Sequence, residues 1–312
     1  MAGGQERILR RRIRSVQATK KITRAMELIA GSRIVRAQQR VHAAMPYSDQ
    51  ITAVVKDLAA AGGEVRSPLL NGRDKVSKVC FVALTADRGL CGGYNTGVIR
   101  ATEGEVKKYA SQGLDYSLVL VGKKADGYFR FRGYRIDANY TGFTDNPTYE
   151  DAKRVASKVR EMFEAGEVDK VELVYTRFAS AGSQEVVQRP LIPLGHEVVE
   201  GGDGKPDAPD GSKADFEFEP SPAVILEELL PRYLEARVYA AMLNAAASEH
   251  AFRQRAMKAA TDNAEELIRN LSRIMNRARQ DSITTEIMEI VSGAEALGSG
   301  SGDTAADRAL TR

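Results

Sequence analysis

A glycine-rich segment in the first third of the chain has the composition of a phosphate-binding loop. Residues 87–95 read Asp-Arg-Gly-Leu-Cys-Gly-Gly-Tyr-Asn and lie between a strand-like run and a helical pattern. Backbone N–H groups at such turns bind phosphate in many α/β proteins. The glycines match neither G-x-G-x-x-G nor a loop ending in G-K-[ST]. The sequence therefore favours a tight structural turn that packs against a coiled coil, formed by Asp87, Arg88, Gly89, Gly92 and Gly93.

Other groups capable of catalysis or metal binding are not spaced for chemistry. Ser180 and Ser183 lack the pattern of a nucleophile elbow, and paired glutamates fall on predicted helix surfaces. The histidines, which show no ligand spacing, are His42, His196 and His250. Cys80 and Cys91 fit a reducing compartment, and Cys80 lies in an apolar run typical of a buried side chain. We expect no catalytic residue, no cofactor and no metal ion.

The first 45 residues are strongly basic. They carry 11 Lys and Arg against two Glu, a net charge of +9, whereas the whole chain has a net charge of +3. Clustered Arg and Lys contact phosphates in nucleic-acid-binding proteins, so a basic coiled-coil scaffold is one alternative. This segment contains no aromatic residue that could stack on bases. An acidic or carbonyl-rich protein collar would use the same charges.

The basic segment coincides with a long helical pattern. Apolar residues recur every three or four positions between Glu6 and Met45, which predicts a helix of about 40 residues, roughly 60 Å long. The predicted stripe is Leu9, Ile13, Val16, Ile22, Met26, Ile29, Ile34, Ala37 and Val41. Pro46 is expected to interrupt the helix, which then continues to Ala61 and ends at Gly62 and Gly63.

A strict heptad frame marks the other end of the chain, where neither Pro nor Gly occurs from Arg232 to Ser292. The frame is Leu226, Leu229, Tyr233, Ala236, Ala240, Leu243, Ala247, His250, Gln254, Met257, Thr261, Ala264, Ile268, Leu271, Met275 and Ala278. It predicts a coiled-coil helix on the order of 90 Å long. Because this helix cannot bury its seam alone, we expect it to pair with the N-terminal helix, with antiparallel the favoured direction.

Between the terminal helices the hydrophobic period changes to that of strands. The strand-like runs cover 79–84, 116–121, 134–140, 170–178 and 185–194. Helical patterns cover 96–110, 123–132 and 149–165. This alternation predicts a small, Rossmann-like α/β domain with a mainly parallel sheet covered on both faces. The predicted fold class is therefore α/β plus a long antiparallel coiled coil of the terminal helices.

The same patterns predict the domain bounds. They are 1–62 for the N-terminal helix, 75–198 for the α/β domain, 199–220 for a flexible acidic loop, 221–297 for the C-terminal helix and 298–312 for a disordered tail. Residues 200–220 carry seven acidic against two basic side chains, a net charge of −5. We expect neither a membrane span nor a secretory signal, since no run of 18 apolar residues and no apolar leader occurs.

Three segments resemble the γ subunit of bacterial F-type ATP synthases. The first is Lys-Ile-Thr-Arg-Ala-Met-Glu-Leu-Ile-Ala at 21–30, and the second is the loop at 87–95. The third begins with Ala-Met-Lys-Ala-Ala-Thr-Asp-Asn-Ala at 256–264 and continues through Asn-Arg-Ala-Arg-Gln at 276–280 and Ser-Ile-Thr at 282–284 to Glu-Ile-Val-Ser-Gly at 289–293. The motifs occur in order on the inferred elements, so the likeness covers residues 1 to about 297.

The resemblance implies a non-catalytic rotor shaft, the central stalk inside a ring of three α and three β subunits. The α/β domain would form the foot, near the ε subunit and the membrane ring of c subunits. The chain would couple proton flow through the c-ring to ATP synthesis or hydrolysis and regulate the ATPase. It would lie on the cytoplasmic face of the cell membrane as a peripheral subunit, touching the membrane only through the complex and binding no nucleic acid.

The resemblance also assigns residues to the interface with the catalytic head. On the N-terminal helix they are Lys20, Lys21, Arg24 and Met26, and on the C-terminal helix they are Arg279, Gln280 and Thr284, which would engage a β-subunit loop. The helix through Val291 would sit in an apolar bearing. The acidic loop and the tail depart from the family pattern, and the loop is a candidate for modulating hydrolysis or meeting ε. No paired-cysteine insert of the chloroplast type is present, so thiol control is not expected.

Two alternatives remain open from the residues alone. A nucleotide-binding α/β enzyme would use the loop at 87–95, and a basic coiled-coil scaffold for nucleic acid would use the N-terminal charges.

Overall fold

The computed structural model describes residues 2–61, 67–73, 75–194, 219 and 221–300. Gly62 and Gly63, nearly all of the predicted acidic loop at 199–220, and residues 301–312 of the predicted tail lie outside the described residues. The expected regulatory role of the acidic loop therefore stays a prediction, as do the predicted domain bounds.

The element order is that of an α/β sheet enclosed between two long terminal helices. In the first half, the elements are α1 (Ala2–Ala61), α2 (Pro68–Asn71), β1 (Lys78–Leu84), α3 (Tyr94–Ser111), β2 (Asp115–Val121) and α4 (Lys123–Phe131). They are followed by β3 (Ala138–Tyr140), α5 (Tyr149–Glu164), β4 (Lys170–Phe178), β5 (Gln184–Ile192) and α6 (Pro222–Gly300). Within the described ranges, no helix is both long enough and apolar enough to span a bilayer.

The sheet has the predicted mainly parallel topology. Its strand order is β3-β2-β1-β4-β5, in which only β5 runs antiparallel, to β4. β1 lies at the centre, with Phe81 opposite Leu118 on β2 and Glu172 on β4. Because β2 and β3 extend from one side of β1 and β4 from the other, the strand order reverses beside β1. This reversal is where open α/β sheets form their ligand crevice.

Helices cover both faces of the sheet. On one face, α3 and α4 enclose a core that includes Phe81, Val98 and Phe129. On the other face, α5 packs together with the C-terminal part of α1 and the N-terminal part of α6. Buried residues such as Leu58 of α1 and Tyr233 of α6 belong to one continuous core. The terminal helices are thus part of the core of the sheet domain, which explains why these segments are rich in Leu, Val and Ala.

The chain divides into two compact units. Residues 27–256 form the sheet unit, and residues 1–26 together with 257–312 form the terminal unit. In the terminal unit, Lys20 pairs with Glu265 and Thr23 meets Thr261, so α1 and α6 run antiparallel there. In the sheet unit, Arg40 of α1 donates to the hydroxyl of Tyr239 on α6. The predicted fold class, an α/β domain with antiparallel terminal helices, is confirmed.

The heptad frame predicted for α6 is confirmed by burial. All sixteen frame positions are buried or half-buried, from Leu226 to Ala278. From Lys258 to Ala278 most of the other positions are exposed, so burial is concentrated on one stripe, as in a coiled-coil seam. Between Ala241 and Ala251 nearly every side chain is buried, because α6 there crosses the sheet domain.

The predicted seam of α1 is wrong at two positions. Ile22 and Ile29 are 61% and 53% exposed, whereas Thr23, Glu27 and Ala30 are buried. Buried or half-buried residues follow a strict heptad that accepts polar members: Leu9, Ile13, Val16, Lys20, Thr23, Glu27, Ala30, Ile34, Ala37 and Val41. The heptad position of a residue decides whether its side chain lies in the seam. Ile22 and Ile29 are apolar but occupy other positions, so they stay outside the seam.

Two further expectations differ from the structure. Pro46 lies inside an unbroken α1, where it and His42 are exposed, so water can bind the carbonyl that proline leaves without a donor. The strand expected from Tyr134 shrinks to Ala138–Tyr140. The backbone N–H of Tyr134 instead donates to Phe129 O at 3.0 Å, and that of Arg135 donates to the Tyr116 hydroxyl at 3.2 Å.

Candidate functional site

The loop at 87–95 is organised by the carboxylate of Asp87. Its Oδ2 accepts the backbone N–H groups of Gly142 at 2.8 Å and Thr144 at 3.2 Å. Its Oδ1 accepts the N–H of Lys123, the first residue of α4, at 3.2 Å. One aspartate thus joins the turns that follow β1, β2 and β3. Oδ2 also accepts the Thr144 hydroxyl at 3.1 Å, so both carboxylate oxygens are hydrogen-bonded within the chain.

Helix α6 covers this loop at the point where the strand order reverses. The Arg253 guanidinium donates to Gly89 O at 3.3 Å, and the ring of Phe252 lies 6.0 Å from that of Tyr94. A Cβ at Gly92, whose φ is +54°, would lie 3.7 Å from the Ala256 methyl. The position where a doubly wound fold takes a nucleotide is therefore occupied by the chain's own helix. The contacts of Asp87, Gly89 and Gly92 are those of a packed turn, and the structural role expected for Asp87, Arg88, Gly89, Gly92 and Gly93 stays a prediction.

Buried titratable groups in the sheet unit are placed for structure. Cys80 is fully buried in β1, and this burial raises the pKa of its thiol to about 12. His250 is 2% exposed, and its Nε2 lies 3.1 Å from Asp145 O. Across the described ranges, no cluster of three or more His, Cys, Asp or Glu side chains is arranged to hold a metal ion.

We expect His250 to make the chain sensitive to mild acid. Burial lowers its pKa from 6.5 to about 4, with Arg253 and Arg33 acting in the same direction and Asp145 opposing them. Since the folded pKa lies below the unfolded value, this contribution to stability is complete above pH 6.5 and is lost as the pH falls towards 4. The free energy of unfolding should fall by roughly 2 kcal/mol between pH 7 and pH 5 because of this residue. Urea unfolding at several pH values measures it.

His250→Gln is the matched control for this prediction. Its amide keeps an N–H donor for Asp145 O but does not titrate. The acid loss of stability between pH 7 and pH 5 should be clearly smaller in this variant. An identical pH profile in the two proteins would assign the loss to other groups.

The terminal unit consists of paired helix segments whose seam includes polar groups. The hydroxyl oxygens of Thr23 and Thr261 lie 2.8 Å apart, and Thr261 is also 2.8 Å from Met257 O. Lys20 Nζ lies 3.2 Å from Glu265 Oε2 at the edge of the seam. These pairs fix the register of the two helices in this unit. Exposed surface is consequently concentrated on their outer faces.

Nine arginines form a basic belt on the terminal unit. All are exposed: Arg7, Arg10, Arg11, Arg12 and Arg14 on α1, and Arg269, Arg273, Arg277 and Arg279 on α6. Since Lys20 lies opposite Glu265 in an antiparallel pair, residues 7–14 lie opposite residues 271–278. Arg273 and Arg277 therefore share one level with the arginines of α1, and Arg269 and Arg279 lie just beyond that level on either side. We call the nine residues the arginine belt.

The end of α6 beyond the belt carries a second, apolar stripe. Ile283, Ile287, Ile290 and Leu297 are 45%, 54%, 71% and 81% exposed, and they follow heptad spacing together with Ala294. The original seam frame becomes polar here, at Ser282, Thr285, Glu289 and Ser292. The change occurs where the register brings α6 to the end of α1. The new stripe, which we call the end stripe, has no partner helix among the described residues and is suited to contact another protein.

The predicted head-contact residues fall into two separate groups. Lys21 and Arg24 are exposed on α1, Met26 is half-buried, and Lys20 is engaged with Glu265. Arg279 and Gln280 are exposed on α6, and the hydroxyl of Thr284 donates to Gln280 O of its own helix. Arg279 follows Glu265 by 14 residues, which is about 21 Å along a helix. The two groups thus mark two levels of the terminal unit.

Sequence reasoning missed most of the belt on α6 and the end stripe. Arg269, Arg273 and Arg277 recur every four residues and line one surface groove with Gln280. Between positions 267 and 280 no acidic residue occurs, which is a signal readable from sequence. The end stripe is also readable, as an apolar heptad whose members fall one or two residues after the positions of the seam frame.

Comparison with known proteins agrees with these features. A family model described as ATP synthase matches residues 5–297. The ATP synthase gamma chain of Frankia casuarinae is 50% identical over 301 residues, covering 95% of this chain and 99% of that protein. The gamma chain of Heliobacterium modesticaldum is 44% identical over 292 residues, covering 94% and 99%.

Solved structures share the fold. A chain of the Euglena gracilis mitochondrial ATP synthase, from a structure titled OSCP/F1/c-ring, aligns with a TM-score of 0.67 at 18% identity, covering 96% of this chain and 97% of that one. A chain of the Tetrahymena thermophila enzyme, titled central stalk/c-ring, aligns with a TM-score of 0.56 at 23% identity, covering 77% and 99%. Taken with the family match over residues 5–297, these findings show that the chain belongs to the ATP synthase gamma chain family and is a non-catalytic subunit of that complex.

Proposed function

We propose that this subunit is the central-stalk rotor, which couples proton flow through the c-ring to ATP synthesis and hydrolysis in the catalytic head. The observation that carries the proposal is the surface of the terminal unit. A regular antiparallel helix pair there exposes an arginine belt and, beyond it, the apolar end stripe. Such a surface suits a partner that encloses the helices and is acidic at one level and apolar at the next.

This surface and the family membership support a particular set of partners. The α and β subunits would form the enclosing head, with Lys20, Lys21, Arg24 and Met26 at one level of contact. Arg279, Gln280 and Thr284 would engage β-subunit loops at the next level. The sheet domain would meet the ε subunit and the c-ring. The subunit would be peripheral, on the cytoplasmic face of the membrane.

Coupling would arise from differential contact. A helix pair bears different side chains on each of its sides, so turning it changes which residues each of three equivalent catalytic sites meets. A ligand or subunit shifts a site only by its difference in free energy between the two states of that site. Changing the population ratio of two conformations of a site from 1:99 to 99:1 needs about 5.5 kcal/mol. One charge crossing 100 mV supplies roughly 2.3 kcal/mol, so several proton steps must be combined per chemical step.

Combining proton steps requires a transmitting element that does not untwist. The seam of α6 is buried or half-buried at every frame position from Met257 to Ala278 in the terminal unit, and α1 supplies the opposing frame. A single helix or a flexible linker would dissipate stored work by twisting. The regular seam therefore supports the rotor role more specifically than helix content alone.

Reconstitution of the head tests the proposal. Purified α and β subunits should form a fully active ATPase only when this chain is added. ATPase activity that is the same with and without the chain would contradict the rotor role.

A variant addresses the head contacts directly. Arg279→Gln with Gln280→Ala and Thr284→Ala should assemble into the complete enzyme but reduce ATP-driven proton pumping about fivefold, equivalent to roughly 1 kcal/mol in the barrier. Arg130→Gln, on an exposed face of α4, is the control and should pump normally. Normal pumping by the triple variant would remove these residues from the coupling contacts.

A further inference from the structure

Four arginines and one histidine of the terminal helices contact loops of the sheet domain. Apolar packing of the helices against the sheet does not require these contacts. All lie in the sheet unit: Arg33 and Arg40 on α1, and His250, Arg253 and Arg255 on α6. The loops follow β1, β3 and β4, which are parallel, so they share the carboxyl edge of the sheet. We call this set of contacts the loop joint.

The loop after β3 holds both helices. Arg33 donates to Asp145 Oδ2 at 2.9 Å, and Arg40 donates to Asn146 Oδ1 and to Pro147 O. From α6, His250 Nε2 lies 3.1 Å from Asp145 O. Asp145 is therefore shared, with its carboxylate bound to α1 and its carbonyl bound to α6.

The other two loops are held by α6. Arg253 donates to Gly89 O at 3.3 Å in the loop after β1. Arg255 donates to Ala181 O at 3.0 Å and to the side chain of Gln184, at the turn between β4 and β5. Asp87 then links the loop after β1 to the loop after β3 through Gly142 and Thr144. The three loops and two helices thus form one connected network.

We propose that the loop joint fixes the rotational position of the helix pair against the sheet domain, so that turning force passes between them. This inference rests on the proposed rotor function. Apolar packing holds parts of both helices in the core of the sheet domain, but it has little directional preference. Charge-assisted hydrogen bonds to carbonyl and carboxylate oxygens depend on direction and resist rotation. Arg33 and Arg40 are the principal positioning residues, since they connect α1 to a loop that also binds α6.

The test compares ATP hydrolysis with proton pumping when a proton gradient opposes rotation. The complete enzyme is reconstituted in vesicles with Arg33→Gln and Arg40→Gln together. ATP hydrolysis is measured with an uncoupler present, and the final proton gradient is measured without it. Uncoupled hydrolysis should remain close to that of the unchanged enzyme, while the gradient should fall several-fold because the joint slips when rotation is opposed.

Arg36→Gln provides a matched control. Arg36 lies on α1 between the two positions and lines the same groove, but its guanidinium makes no ion pair or hydrogen bond with any residue that the structure describes. This variant should pump normally. Exchanging the charges, as Arg33→Asp with Asp145→Arg, should recover part of the gradient that Arg33→Asp alone loses.

Two results would overturn the inference. One is an unchanged gradient in the double variant, and the other is a proportional fall of hydrolysis and gradient, which indicates a general defect. If the double variant does not assemble, Arg255→Gln gives the same test, because Arg255 is exposed and its contacts within the described part of the chain are the hairpin turn and the ring of Phe252. Failure of the rotor function itself would look different, since an enzyme without this chain would then still pump.

Discussion

Replacing Gly122 by alanine is expected to destabilise the chain by about 4 kcal/mol or more, enough to prevent normal folding of the sheet domain. Gly122 is buried between β2 and α4 with φ +99°, and a Cβ there would lie 2.3 Å from Thr85 O and 2.8 Å from Thr85 Oγ1. Hydrogen bonds hold Thr85 in place, so it cannot move away from the added Cβ. Its N–H and hydroxyl both donate to Val121 O, and its Oγ1 accepts the N–H of Ala125.

Gly133→Ala separates the two causes of this effect. Gly133 also has a positive φ, +75°, but no atom lies within 4 Å of its added Cβ. Gly133→Ala should lower the free energy of unfolding only by the backbone strain of a left-handed residue, about 1 kcal/mol. Urea unfolding of both variants measures the difference. Similar costs for the two glycines would mean that the contact with Thr85 relaxes and that conformation alone sets the penalty.

The sheet and the α6 seam could be predicted from sequence because both depend on local periodicity. The apolar runs that become β1, β2 and β4 are bounded within one or two residues of their observed ends. The α6 frame is confirmed even at polar members such as Gln254 and Thr261, because strict spacing predicts a seam position whatever residue occupies it.

The α1 seam was partly missed for the opposite reason. There, the apolar residue type predicts Ile22 and Ile29 as seam members, whereas strict spacing places Thr23 and Ala30 in the seam. A polar residue enters a seam when its partner is polar too, as Thr23 does opposite Thr261. That pairing joins residues 238 positions apart, so no local pattern reveals it. The exposed isoleucines then remain available to a partner protein.

The role of Asp87 shows a second limit. Its position after a strand could be predicted to lie in a turn, but its hydrogen-bonding partners lie in the turns at 123 and 142–144. Which loops meet at the sheet edge depends on the strand order. The sequence alternation predicts parallel strands without fixing that order. The loop joint could not be inferred from sequence for the same reason.

The buried pair of Glu249 and Arg253 on α6 should be strongly coupled. Arg253 Nη2 lies 2.6 Å from Glu249 Oε1, and the two side chains are 10% and 1% exposed. Glu249 Oε2 is buried without a hydrogen-bond partner in the part of the chain that the structure describes. Burial raises the pKa of this carboxyl, and Arg253 opposes the effect. Arg253→Met should therefore cost about 3 kcal/mol, because it leaves a buried carboxylate unpaired.

The double variant Glu249→Met with Arg253→Met should regain most of that loss. It removes both charges and retains only the cost of the lost bond to Gly89 O, about 1 kcal/mol. Arg10→Met is the matched control, since Arg10 and Glu6 form the same i,i+4 pair at 2.7 Å with side chains 58% and 24% exposed. It should cost less than about 0.5 kcal/mol.

The pH dependence of the single variant identifies the mechanism. Without Arg253, the folded pKa of Glu249 rises further above its unfolded value, so the folded chain binds the proton more tightly than the unfolded chain does. The penalty of Arg253→Met should consequently grow as the pH rises from 5 to 8 and shrink as the pH falls. Urea unfolding at both pH values measures this change. A penalty that is constant with pH and persists in the double variant would show that Arg253 acts by packing alone.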